Sequence, residues 1–495
     1  MILGLSSGFH DAALTVLNRH GDIVFAGHSE RYSKIKNDPN ISLSMLGEIK
    51  NYNIDTIAYY ENPIKKQLRR LRSGEGIQFN NLSVKKIIKA QLGQSFLNNT
   101  KKIVSYNHHL SHAAAGFQTS NFTRATVVVI DAIGEMDTIS IYGAEYNHMG
   151  AAKYKLLWKQ TYPNSIGLFY SAMTAKVNLK PMDEEYILMG MSAYGIQSED
   201  FSDYLKNYFI ENEWEITFKE NLHIGVSKNF FPNMDPFIIA RGTQELTENL
   251  ICNVMRRAKD FNYSENLVYM GGVALNCLAN RHLGDYFNKV WILPNPGDAG
   301  SSLGAAALAF GRKINFSNSF LGHDIKGKYP TNDILTHLLK TKIVGVASGK
   351  AEFGPRALGN RSLLADPRDK DIKEKVNSIK RRQQFRPFAP VILEEMVESF
   401  FEMPKGWKTS PYMQTVAKCK YPDKFPAICH VDGTSRVQTV PNDNSGIREL
   451  LEKWYVLTEC PMLLNTSLNI RGEPMVNDRS DADRFENLYQ VKVCS

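Results

Sequence analysis

The chain has 495 residues, 43% of them hydrophobic, with 59 basic against 51 acidic side chains, a formal net charge of +8 and six cysteines. That length supports large cores and two or three domains of the usual roughly 100–200 residues, and no uninterrupted apolar stretch approaches the ~20 residues of a membrane span. Cys252, Cys277, Cys419, Cys429, Cys460 and Cys494 show no Cys-x-x-Cys spacing, which argues against a zinc ribbon or a disulfide framework. A start that reads as a strand rather than a secretory leader adds the expectation of a cytoplasmic protein with reduced thiols and no membrane partner.

Residues 2–17 hold two aliphatic runs joined by Gly8-Phe-His-Asp11, a hairpin whose turn offers His10 and Asp11 as a base beside a reacting hydroxyl. Between Lys65 and Lys102 stand ten basic residues against one acid, Glu75, a local +9 that leaves −1 for the remainder of the chain. As a helix, residues 65–72 set Lys65 over Arg69 and Lys66 over Arg70, like-charge pairs that call for an anion. Val84, Ile87, Ile88 and Leu92 then form an apolar stripe that turns Lys85, Lys86 and Lys89 elsewhere. Arg69, Arg70, Lys85 and Lys86 are the candidate nucleic-acid contacts, in a basic insertion over 65–102.

In residues 106–115 a helix places His108 and His112 on one face and His109 about 100° away. Residues 126–142 repeat the hairpin design with Asp131 in the turn, and the repetition predicts a duplicated core. Residues 266–276 read as a buried strand closing on Gly271 and Gly272, where bare backbone can approach a nucleotide. A further strand over 290–294 leads to Asp298 in a Gly-Asp-Ala-Gly turn, and a small-residue helix over 305–310 follows. Two imidazoles and two carboxylates, His108, His112, Asp131 and Asp298, suit a divalent ion such as iron(II), manganese or zinc, with positions left for phosphate oxygens.

Residues 313–342 are polar and aperiodic, so the boundary falls there: a first domain over 1–325 and a second over 340–495, opened by a strand at 343–347. The second domain carries Glu352-Phe-Gly-Pro-Arg-Ala-Leu-Gly-Asn-Arg-Ser362, which places Arg356, Arg361 and Arg368 in a run punctuated by Gly and Pro. Arg381, Arg382 and Arg386 follow. Guanidinium forks grip phosphate or carboxylate oxygens two at a time, so these clusters predict a site for a small phosphorylated substrate.

Taken together, these residues resemble the carbamoyltransferase family of nodulation and antibiotic-biosynthesis enzymes, with matches from residues 8–13 through 108–114, 166–171, 271–277, 297–306, 352–368 and 385–390 to 430–440 and 464–474. The resemblance implies an α/β fold: a duplicated actin-like, ribonuclease-H-like ATPase domain related to tRNA threonylcarbamoyl transferases, then an α+β YrdC-like domain of the kind that makes threonylcarbamoyl adenylate. It also implies the reaction, in which carbamoyl phosphate and ATP (with Mg) give carbamoyl adenylate, and the carbamoyl group passes to an acceptor hydroxyl at the metal site. Carried over by motif, His108, His112, Asp131 and Asp298 hold the metal. Lys36, Gly167, Gly271, Gly272 and Asn276 contact nucleotide, and Arg356, Arg361, Arg386, His430, Arg436, Asn465 and Ser467 hold carbamoyl phosphate and the adenylate. The chain departs from the family pattern at Asn37, where a His is usual, at Ile187, where a Lys is common, and in ending about twenty residues after Pro474.

For the acceptor the expectation is a hydroxyl on nucleic acid, such as a hydroxymethylated pyrimidine in DNA, because the basic segment immediately precedes the histidine helix. A small-molecule hydroxyl is the alternative. An actin-like ATPase or sugar kinase, and a non-catalytic nucleic-acid binder, are the readings of other classes. A homodimer is compatible with the sequence.

Overall fold

The computed structural model of the chain describes residues 1–195, 199–227 and 229–495. Strands β1 (Ile2–Ser6), β2 (Ala13–Leu17), β3 (Ile23–His28), β4 (Thr56–Tyr59) and β5 (Lys102–Ser105) form a sheet in the order β3-β2-β1-β4-β5. The first three are antiparallel neighbours, and β4 and β5 add in parallel to β1. A second sheet, of β6 (Arg124–Gly134), β7 (Asp137–Tyr146), β8 (Ala152–Thr161), β9 (Asn266–Met270) and β10 (Lys289–Trp291), runs β8-β7-β6-β9-β10 with the same alternation of senses. One five-stranded plan is therefore used twice, as the repeated hairpins predict.

Helices α1 (Pro63–Arg72) and α2 (Val84–Leu92) lie between β4 and β5 in the chain; α3 (His108–Thr119), α4 (Ile166–Lys176), α5 (Pro236–Asp260) and α6 (Ser301–Phe310) are the other helices of the first unit that bear on the site. α3 and α6 pack against each other, and their alanines share one core with β2, β6 and β9. The composition of this layer follows from how closely its parts approach. A Cβ on Gly304 would lie 1.8 Å from the Ser111 carbonyl oxygen, and one on Gly4 would lie 1.9 Å from that of Ser302. Glycine at 304 lets α6 seat against α3 and glycine at 4 lets it seat against β1, in a helix of which seven of the ten residues are Ser, Gly or Ala.

The second unit is a six-stranded mixed sheet. Its strands β11 (Ile343–Ala347), β12 (Arg361–Ala365), β13 (Ala389–Leu393), β14 (Gln438–Val440), β15 (Met462–Ser467) and β16 (Val493–Cys494) run in the order β14-β13-β15-β12-β11-β16. Its apolar cluster begins at Ile325 and takes in the helix Thr331–Thr341, so much of the polar stretch between the units packs on the second sheet. Among the described residues no helix is long and apolar enough to cross a membrane.

The structure corrects one local expectation. Asp131 is not in the hairpin turn but inside β6, where the pairing with β7 slips between Ile130 and Gly134; the turn comes at Glu135 and Met136. The irregularity leaves Asp131 off the ladder, with its carboxylate free to face α3.

Gly304→Val should loosen the α3–α6 contact and lower stability by about 3 kcal/mol or more, at or beyond the upper end of overpacking costs. Urea denaturation followed by circular dichroism measures it, and an unchanged midpoint would contradict the packing described.

Candidate active site

α3 is buried along almost its whole length, and its N-terminus is held from outside. Glu135, at the β6–β7 turn, accepts the His108 backbone N–H at 3.2 Å and that of Asn62, because Asn107 makes no side-chain cap of its own. Gly134 lets the turn lie on the histidines, since a Cβ there would meet the His109 ring at 2.5 Å and the His108 ring at 2.6 Å.

Thus fixed, His108 and His112 direct their Nε2 atoms to within 3.0 Å of each other. Asp131 Oδ2 lies 3.2 Å from both, and Asp298 Oδ1 lies 3.2 Å from His108 and 3.4 Å from His112. All four side chains are buried and their donor atoms fall within 4.8 Å of one another. The remaining Asp131 oxygen accepts the Ala132 and Gly272 N–H groups, which sets the carboxylate's rotation. Burial opposes charge on both acids, yet contact with the two imidazoles outweighs it and keeps both below the ordinary carboxylate range. Two imidazole nitrogens and two carboxylate oxygens converging in a buried spot are the donor set of a first-row divalent ion, and the residues present fit one. His109 points elsewhere, with Nδ1 2.8 Å from Ser140 Oγ, as its position on the helix predicts.

His10 Nδ1 bonds Asp11 at 2.9 Å, and His10 Nε2 lies 3.9 Å from Asp298. Burial works against a charged His10, but the Asp11 bond and the Asp298 and Asp131 fields prevail and hold it up at about 9. This pair, Asp131 and Asp298 line the same cavity, of about 490 Å³, as Lys36, Gly167, Gly272, Asn276, Arg356, Arg386, His430, Arg436, Asn465 and Ser467. Guanidinium groups from the second unit and carboxylates from the first share one space.

Within it the predicted residues are not equivalent. Arg356 makes no hydrogen bond or ion pair with any described residue. Burial first and then the neighbouring Arg436 depress it to about 9, and Arg436 leaves its buried Nε without a partner. Two cations facing each other without a counter-charge make an anion site. Arg386 lies over the Tyr186 ring at 4.8 Å, and Lys36 pairs with Asp183 at 3.5 Å. Asn276 exchanges two 3.0 Å amide bonds with Gln244, while Asn465 keeps a buried Oδ1 unpartnered. His430 donates from Nε2 to the Gly190 carbonyl at 2.8 Å and accepts the Val431 N–H at Nδ1. Both ring nitrogens are thus spent on backbone, and only the ring itself lines the cavity.

Arg361 is a correction. It is fully buried outside the cavity lining, and its guanidinium donates to the carbonyls of His323, Ser348, Gly349, Asn360 and Asn477 at 2.8–3.2 Å. Glu352 completes the scaffold by accepting the N–H groups of Leu358, Asn360 and Arg361. Arg368 pairs with Asp366 instead, and Arg381 lies over Tyr489. Gly271 is likewise structural: with φ +94 and a would-be Cβ 2.1 Å from Ile130 O, it seats β9 against β6. Lys380, Arg471 and Tyr186 line the cavity without having been picked out by the sequence reading. Lys380, 3% exposed, donates to Asn469 O at 2.7 Å and Asn469 Oδ1 at 3.0 Å; burial and then Arg382 and Arg386 press its ammonium well below the usual range. Its place in the Lys-Arg-Arg run was the available signal.

The basic insertion also differs from expectation. The like-charge pairs of α1 are relieved internally, Arg69 and Arg70 by Glu75 and Lys66 by Glu61, and Arg69 is buried. α1 instead turns Ile64, Leu68 and Leu71 outward. Lys85 and Lys86 on α2 are exposed, as the periodicity predicts.

Compared with known proteins, residues 74–307 match the family model described as Carbamoyltransferase N-terminus and residues 335–493 that described as Carbamoyltransferase C-terminus. An uncharacterized protein of Synechocystis sp. is 31% identical over 98% of this chain and 93% of its own length. The nodulation protein NolO of Bradyrhizobium diazoefficiens is 30% identical over 76% of this chain and 75% of its own. Among solved structures, full-length HypF in its phosphate- and nucleotide-bound form covers 62% of this chain and 55% of its own, at 12% identity and a TM-score of 0.34.

Arg361→Met should cost about 3 kcal/mol or more of stability, because it orphans five buried carbonyls, whereas Arg356→Met should stay within about 0.5 kcal/mol of the parent. Parallel denaturation curves separate the two, and equal losses would refute the division of labour.

Proposed function

The chain belongs to the carbamoyltransferase family, and we propose that it uses ATP and carbamoyl phosphate to form carbamoyl adenylate and passes the carbamoyl group to an acceptor hydroxyl. The observation that carries this reading is the one cavity in which unpaired guanidinium groups of the second unit share a lining with Asp131 and Asp298, the two acids of the histidine–aspartate cluster of the first. The repeated strand order of the two five-stranded sheets supports an actin-like first domain over 1–325, and the mixed sheet with its cationic wall supports a YrdC-like, adenylate-forming domain over 340–495.

Arg356, Arg436 and Arg386 supply charge for the phosphate groups, with Lys380 and Arg382 beside them; Lys36, Gly167, Gly272 and Asn276, from the first unit, line the same cavity as the nucleotide contacts. In the transfer step the acceptor oxygen bonds to the carbamoyl carbon and the bond to AMP breaks. The acceptor proton passes to the His10–Asp11 pair beside Asp298, where a dication held by the four side chains would offset the aspartate fields that keep His10 protonated and so free its nitrogen to accept. A divalent ion held by His108, His112, Asp131 and Asp298, with iron(II), manganese and zinc as the candidates and Mg accompanying ATP, supplies Lewis acidity toward carbonyl and hydroxyl oxygens.

For the acceptor, exposed Lys85 and Lys86 on α2, in a segment of net charge +9, favour a hydroxymethylated pyrimidine in DNA. A small-molecule hydroxyl is the reading to which weak, salt-insensitive binding would return, because Glu75 already engages Arg69 and Arg70.

With labelled carbamoyl phosphate, ATP turnover should require the carbamoyl donor, and removal of divalent ions should abolish transfer. Arg356→Ala should lower kcat/KM for carbamoyl phosphate about 10- to 100-fold, the worth of one charged hydrogen bond. ATP consumption indifferent to the donor would overturn the reading. Affinity for hydroxymethylated duplex should fall steeply with salt and with Lys85→Ala/Lys86→Ala, checked by fluorescence anisotropy.

A further inference from the structure

Behind His108, on the side of the ring away from the other three ligands, stands a buried carboxylate. Glu61 is 3% exposed and its Oε2 lies 3.9 Å from His108 Nδ1. Its other oxygen is tied down: Lys66 donates to Oε1 at 2.6 Å and the Tyr59 hydroxyl at 3.2 Å. His108 Nδ1 is buried and without a hydrogen-bond partner. A carboxylate this deep is costly unless it is paired. Lys66 offsets its charge and Tyr59 fixes its rotation, which leaves Oε2 turned toward the imidazole.

An imidazole can give a metal only a deprotonated nitrogen, and the partner of the other nitrogen decides which one that is. We propose that Glu61, braced by Lys66 and Tyr59, is a positioning residue: its negative charge, 3.9 Å from His108 Nδ1 and beyond hydrogen-bond length, favours the proton on that nitrogen and so reserves Nε2 for the divalent ion. Glu61 ties the metal centre to α1, because Lys66 belongs to that helix, whose first turn follows Glu61 directly. The inference rests on the reading of the four ligands as a metal centre, and it concerns how tightly and in which tautomer His108 binds there.

The test uses the full chain, stripped of metal and titrated calorimetrically with Zn²⁺ and with Mn²⁺. Relative to the parent, Glu61→Gln should weaken binding about 10-fold and Glu61→Ala up to about 100-fold, the range for losing such an outer partner. The metal-induced rise in Tm should shrink in both while the metal-free Tm of Glu61→Gln stays close to the parent's. A purely structural role would lower the metal-free Tm and leave the Zn²⁺ affinity alone, and that result overturns the inference. A parent chain that binds neither ion refutes the metal centre itself; equal affinities for parent and Glu61→Gln refute only the role of Glu61. A measurement on the unmutated protein covers the case in which the variants fail to fold. In the Zn²⁺-loaded chain labelled with ¹⁵N-histidine, His108 should carry its proton on Nδ1 and resist exchange, and a proton on Nε2 would sink the proposal.

Discussion

The constraint on which the rest of the molecule turns is the convergence of two imidazole Nε2 atoms, 3.0 Å apart, on two carboxylate oxygens in a buried place. Each of those groups costs free energy to bury alone, and together they persist only if the backbone holds them at fixed positions. The fold supplies that rigidity from several directions. β6 breaks its own ladder to release Asp131, and the Gly272 N–H orients it. Glu135 fixes the start of α3, and Gly304 lets α6 press on the helix from the other side. The duplicated sheets enclose a layer of small residues because side chains of ordinary size would separate those elements.

The Gly-Pro-Arg loop of the second unit solves a related problem for cations. Most of its polar groups are consumed in building it: Glu352 gathers three backbone amides and Arg361 five carbonyls. What the loop delivers to the cavity is Arg356, a guanidinium with no described partner. A charge left without a partner in its own protein is stabilised by an anion from outside. Arg31 from the first unit donates to the Gly354 carbonyl at 2.7 Å, so the loop is also where the two units are pinned together.

How far the sequence disclosed this depended on whether a pattern was local. The two hairpins, the His108–His112 pair and the strand at Ile343–Ala347 have short-range periodicity and were legible. The structure does bring Asp131 to the two histidines, but from a strand and not from the expected turn, because a slip in strand register has no compositional mark. Arg361 and Arg356 stand in the same motif and are chemically identical; only the three-dimensional path of the carbonyls at His323 and Asn477 distinguishes scaffold from site. α1 misled for another reason. Its charges looked exposed because their counter-ions, Glu61 and Glu75, lie outside the helix, and once paired they turn the apolar residues outward. Arg471 pairs with Glu184 and Glu61 faces His108, partners distant in sequence that no spacing rule reaches, whereas Lys380 stood in a Lys-Arg-Arg run.

The polarity of the cavity has a consequence for the order of events. Its first-unit side carries Asp131 and Asp298, both ionised, while its second-unit side carries Arg356, Arg382, Arg386 and Arg436. Without a metal, the imidazoles of His108, His112 and His10, held in their charged form by these aspartates, offset that negative charge. A divalent ion among the four side chains would take the place of those protons, since two carboxylates and one dication sum to zero. An anionic substrate can then extend from the arginines toward the histidines without penalty, and the two halves of the cavity become one electrostatic environment.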